Sequence, residues 1–89
     1  MEVNMITKSM EIRIPAGLEP GTIALFIQTA SQYDSKLYVQ SENKRVNAKS
    51  LMGMMTLGLP EGSVLTIVAD GSDEEKAVED IERYLNNEK

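Results

Sequence analysis

Ser50 opens the one stretch of this chain whose residue types and spacing suggest chemistry. It stands in the run Asn47-Ala48-Lys49-Ser50-Leu51-Met52-Gly53-Met54-Met55-Thr56-Leu57-Gly58. The short oxygens of Asn47 and Ser50 suit the start of a helix, where they accept from the free amides of the first turn. The same amides, with the helix dipole behind them, favour an anion, so a serine there is also well placed to carry a phosphate. Leu51, Met52, Met54 and Met55 follow, too apolar for a plain surface loop, and Gly53 and Gly58 argue against a long helix. A short helix with some of these side chains buried and others outside is the expectation. Two readings stay open: every apolar residue is core and Ser50 is only a cap, or the outward residues form an adaptable, methionine-rich docking patch beside a phosphorylatable serine.

Other chemistry is excluded by what is missing. The 89 residues include no cysteine and no histidine. That removes disulfides, thiolate nucleophiles, the commonest general base and the commonest metal ligand. No catalytic residues, metal site or cofactor are expected. No apolar run has the length of a membrane span, and the first seven residues lack a signal peptide's pattern, so a cytoplasmic protein without membrane contact is expected. The net charge of −5 argues against direct nucleic-acid binding. Up to Ala69 the chain holds six acids and six bases, so the excess lies entirely in residues 70–89, read as a solvated helix face.

The elements that must position this stretch can be read in order. Residues 1–7 give no signal and are expected to form a short N-terminal extension to a single domain over 8–89. Met10, Ile12 and Ile14 alternate with polar residues as in a half-buried strand, closed by Pro15 and Gly17. Pro20 suits the first helical turn, with Glu19 at the cap. Ile23, Phe26, Ile27 and Ala30 make one helical stripe ending near Ser31. Residues 36–40 read as a strand with Leu37 and Val39 on one face and Tyr38 on the other, and residues 41–44 as a hairpin turn. Residues 45–47 then form a short return strand. The β-branched run 64–69 predicts the best-buried strand. Ser72 and Glu75 spell a capping box for a last helix with Ala77, Val78, Ile81, Tyr84 and Leu85 inward. This is an α+β domain of order βαββαβα: a four-stranded sheet with the helices on one face, and Glu11, Arg13 and Tyr38 on the open one.

That order, the Gly17-Leu18 pair before a helix, and above all Val46-Asn47-Ala48-Lys49-Ser50-Leu51-Met52-Gly53 resemble HPr, the histidine-containing phosphocarrier of the bacterial sugar phosphotransferase system. The likeness covers nearly the whole chain. It implies the HPr open-faced sandwich, four antiparallel strands with three helices on one face. The family carries a phosphorylated histidine in a Gly-Leu-His-Ala-Arg-Pro-Ala motif; the matching run here is Gly17-Leu18-Glu19-Pro20-Gly21-Thr22-Ile23. Glu19 thus occupies the histidine position and Gly21 the arginine position, and a phosphocarrier needs both a transferable phosphoramidate and nearby charge to neutralise it. The family's second site, a serine modified by an ATP-dependent HPr kinase/phosphorylase, matches Ser50. A histidine-less relative, the catabolite-repression HPr, acts through that serine alone, although it keeps the arginine that is Gly21 here. The resemblance implies a non-enzymatic regulatory protein with protein partners, an HPr serine kinase or a transcriptional regulator among them, docking through Leu51, Met52 and Met55, to which the apolar run itself adds Met54 as a docking candidate. The alternatives are a diverged module outside sugar transport, with Ser50 merely a cap, and a residual phosphocarrier.

Overall fold

The computed structural model describes residues 5–87, a four-stranded sheet with three helices. In chain order the elements are β1 (Ile6–Glu11), α1 (Pro20–Ala30), β2 (Lys36–Ser41), β3 (Lys44–Asn47), α2 (Leu51–Met55), β4 (Val64–Asp70) and α3 (Glu74–Leu85). The sheet runs β1-β4-β2-β3 with every neighbouring pair antiparallel. The fold class and element order expected from sequence are therefore those observed.

Alternation fixes which face is buried, because successive side chains of a strand point to opposite sides. Leu65, Ile67 and Ala69 of β4 and Leu37 and Val39 of β2 are buried, and they meet the stripe Ile23, Phe26 and Ala30 of α1 and Ala77, Val78, Ile81 and Leu85 of α3. Tyr38 lies on the open face with the Arg45 guanidinium 4.3 Å from its ring centre. On the same face the Ser9 and Thr66 hydroxyls meet at 3.2 Å. Lys8, exposed on an edge strand, reaches Glu82 of α3 at 2.8 Å.

Strands β2, β3 and β4 differ from the sequence reading by a residue at one end, and three further boundaries differ for a local reason. β1 begins at Ile6, so Ile6 and Thr7, expected in an extension over 1–7, belong to the sheet and pair with Ala69 and Val68; residues 1–4 of that extension lie outside the described residues. The strand ends at Glu11, opposite Val64, because β4 goes no further. Ile12 and Ile14 still point inward, but Ile12 bonds the Ser63 carbonyl at 2.8 Å and Arg13 the Leu85 carbonyl at 2.8 Å.

The third difference is at the start of α3. Asp73, not Ser72, is the cap residue, and it is Glu74 that reaches back, accepting from the Gly71 amide at 3.0 Å. The Asp73 carboxylate is committed elsewhere: it accepts from the amides of Asp34 at 2.9 Å and Ser35 at 3.0 Å and from the Ser35 hydroxyl. This carboxylate ties the α1–β2 loop to the start of α3. The Ser35 hydroxyl, first, and then the Asp34 amide hold its pKa below the usual 3.8.

A carboxylate with a lowered folded pKa binds fewer protons than in the unfolded chain, so its contribution is present above about pH 3.8 and is lost as pH falls through the folded value. The thermal midpoint of Asp73→Asn is therefore expected to fall below the parent's at pH 6. The gap should narrow as pH drops below 3.8, read by circular dichroism melts between pH 2 and 6.

Candidate functional site

The backbone around Ser50 is set by a series of short-range bonds. The Ala48 amide donates to the Leu37 carbonyl at 2.8 Å, extending the β2–β3 contact past the end of β3. The Asn47 side-chain oxygen accepts from the Lys49 amide at 2.8 Å, and the Asn47 carbonyl from the Ser50 amide at 3.0 Å, which turns the chain. Ser50 then stands extended at the cap, and its hydroxyl oxygen accepts from the Gly53 amide at 3.1 Å. Both proposed capping residues are thus used, Asn47 in the turn and Ser50 at the cap itself.

Gly53 lies in close contact with its neighbours. A Cβ there would sit 3.2 Å from the Val46 Cβ and 3.3 Å from the Ser50 hydroxyl oxygen. Its absence lets the helix settle onto β3 without disturbing the cap. With Gly53 and Met54 facing the sheet, the 100° step of the helix carries Leu51, Met52 and Met55 to the opposite side.

The exposures follow that register. Met52 is 81% exposed, Met55 50% and Leu51 49%, whereas Met54 is 1% exposed and packed in the core. Met54, expected in the docking patch, is therefore corrected to a core residue: it is the one buried side chain of α2 and anchors it. The other three form an apolar outer face.

Glu19 and Gly21 lie at the start of α1. The Lys49 ammonium, next to Ser50, reaches the loop after α1 and donates to the Tyr33 carbonyl at 2.5 Å. The start of α1 instead lies beside the segment that follows α2: the Leu18 amide donates to the Leu59 carbonyl at 2.8 Å. Gly17, at φ +71°, is held there because a Cβ would come within 2.6 Å of backbone atoms of Leu59, Pro60 and Glu61. Glu19 is the extended cap, with Pro20 opening the helix and the Glu19 amide donating to the Thr22 hydroxyl at 2.9 Å. A Cβ at Gly21 would meet nothing within 4 Å, so that position is open to solvent and holds no charge.

Two features of the site escaped the sequence. Lys49 looks free to offset a phosphate on its neighbour, yet its ammonium is engaged with the Tyr33 carbonyl. The Asp73 bonds to Asp34 and Ser35 join positions 38 or more apart in sequence, and no local pattern signals them. Among the described residues, no group of three or more His, Cys, Asp or Glu could hold a metal ion. No helix among them is long and apolar enough to cross a membrane.

Comparison with known proteins agrees with this geometry. The family model described as "PTS HPr component phosphorylation site" matches residues 6–87. The chain is 36% identical over 84 residues to the HPr-like protein Crh of Halalkalibacterium halodurans, covering 94% of this chain and all of that one. It is 37% identical to the HPr-like protein Crh of Bacillus subtilis, covering 94% and 99%. Among solved structures, the phosphocarrier protein HPr of Bacillus anthracis superposes with a TM-score of 0.88 at 37% identity, covering 91% of this chain and 96% of that one.

The split between anchor and outer face has a direct consequence. Met54→Ala is expected to cost about 2–5 kcal/mol, the range for emptying a buried methionine site. Met52→Ala should change stability by less than about 0.5 kcal/mol, as exposed substitutions do. Urea unfolding of the two variants side by side measures both.

Proposed function

The chain belongs to the HPr family, whose members are phosphocarriers and regulators rather than enzymes, and we propose that it acts there as a regulatory docking protein and not as a phosphocarrier. The observation that carries this reading is the outer face of α2: Leu51, Met52 and Met55 stand about half exposed or more beside Ser50. An apolar cluster of that kind on a small domain marks a protein-binding surface. Its partners are proteins in the cytoplasm, an HPr serine kinase/phosphorylase and a transcriptional regulator being the kinds that the resemblance to catabolite-repression HPr suggests.

Position 19 supports the negative half of the proposal. The chain has no histidine, Glu19 stands at the cap of α1, and Gly21 puts no cation beside it. A carboxylate gains only about 0.3–1 kcal/mol from the helix dipole there. It lacks both the nucleophile and the charge neutralisation of phosphoryl relay.

Ser50 is the proposed switch. A phosphate there adds about −1.5 to −2 charge at the edge of an apolar face. Freeing the Ser50 hydroxyl from the Gly53 amide loosens only a five-residue helix that Met54 still anchors. The phosphate therefore acts by changing what the face binds and leaves the domain folded. The second reading, a diverged module whose serine is only a cap, is favoured by the Ser50–Gly53 bond and by the engagement of Lys49 with Tyr33.

Incubation with an HPr serine kinase and ATP, followed by intact mass, separates the two. A gain of one phosphate that vanishes in Ser50→Ala is the expected result. No gain, while an authentic HPr is labelled in the same tube, leaves Ser50 a cap. Phosphoenolpyruvate with enzyme I should label neither the parent nor Ser50→Ala.

A further inference from the structure

Five methionines lie in the described part of the chain, and the fold sorts them sharply. Met10 and Met54 are buried at 5% and 1% exposure; Met5, Met52 and Met55 are half exposed or more. Met52 and Met55 are three residues apart on α2, so their thioethers share its outer face with Leu51. Met54, between them in sequence, is shielded in the core. Thioether oxidation follows access to the sulfur, and the product sulfoxide is polar and chiral where the thioether was flexible and apolar.

We infer that Met52 and Met55 form a peroxide-sensitive pair whose oxidation converts the outer face of α2 from apolar to polar without unfolding the domain. The co-reactant is a hydroperoxide. A sulfur lone pair attacks one peroxide oxygen, the O–O bond breaks as the S–O bond forms, and the second oxygen leaves with a proton as water or an alcohol. Sulfur loses two electrons and the peroxide gains them. The reverse step is reduction of the sulfoxide by a thiol-dependent methionine sulfoxide reductase. Both side chains stand on the outer face, while α2 is anchored by Met54, by Gly53 against Val46 and by the Ser50 cap. The change is therefore confined to the surface. The functional meaning of this pair rests on the docking role proposed above: a face that grips a partner through methionines loses that grip when they carry oxygen.

The test uses the full chain and hydrogen peroxide. Peptide mapping over time should show sulfoxide at Met52 and Met55 on the order of tenfold faster than at Met10 and Met54, whose oxidation waits on local opening. After oxidation the protein should elute earlier from a phenyl matrix at an unchanged thermal midpoint. Reductases of both sulfoxide epimers with dithiothreitol should restore the retention. The Met52→Leu/Met55→Leu double variant should keep its retention through the same treatment, which separates the pair from Met5. Oxidation of Met54 as fast as Met52, equal loss of retention in the double variant, or a fall in thermal midpoint overturns the inference. Ser50 labelling by an HPr serine kinase supplies the docking readout: slower labelling of the oxidised parent is expected, while the double variant, whatever its own rate, is labelled equally before and after peroxide. Equal labelling of oxidised and reduced parent overturns the switch. Labelling of neither overturns the serine switch proposed above, and the retention measurements still decide the surface change.

Discussion

Strand β4 is the member on which everything else leans. It is hydrogen-bonded on both edges, to β1 through the register Ile6–Ala69 to Glu11–Val64 and to β2 through Lys36–Asp70 to Gln40–Thr66. Its neighbours come from opposite ends of the first half of the chain, so the sheet exists only once the chain has reached residue 70. Because both pairings are antiparallel, one β4 face, Leu65, Ile67 and Ala69, defines the buried side for the whole sheet. A one-residue slip of β4 would turn these three outward and expose the core. The helices have no second face to choose.

That one-sidedness decides what α2 can be. α1 and α3 span 11 and 12 residues and bury three or four side chains each. α2 has five residues and buries one. A helix of that length is not stable alone and depends on tertiary contact. It is held by the β3 turn before it, by Gly53 fitting against Val46, and by Met54 reaching the core. The remaining three apolar side chains have nowhere inward to go. The exposed face is thus the geometric remainder of a short helix with a single anchor.

Most of the fold was legible in the sequence for the same reason. The stripe on α1 and the alternation in β2 and β4 are strong periodic signals, and the structure follows them. Legibility failed wherever the deciding partner is distant. Ile6 and Thr7 carry no strand pattern of their own and are ordered by Ala69 and Val68 across the sheet. Ser72 and Glu75 read as a capping box, but Asp73 is drawn into bonding Ser35, and the cap shifts with it. In the site, the existence and rough limits of α2 were readable from Ser50 and the glycines. Its register was not: four apolar side chains around one glycine show no stripe, and only contact with β3 and the core marks Met54 as the inward one.

The two ends of α1 give the final contrast. At its start the backbone is tightly specified, with Gly17 pressed on the Leu59–Glu61 backbone and Glu19 at the cap, and positions 19 and 21 carry a carboxylate and no side chain, respectively. Beyond its other end, the Tyr33 carbonyl accepts from Lys49, the nearest cation in sequence to Ser50, whose hydroxyl sits in the cap of α2. Position 21, at the start of α1, is open and uncharged. Under the docking role proposed above, a phosphate on Ser50 stands as charge beside the apolar face of α2, and a partner's arginine meets such a charge through paired, charge-assisted hydrogen bonds.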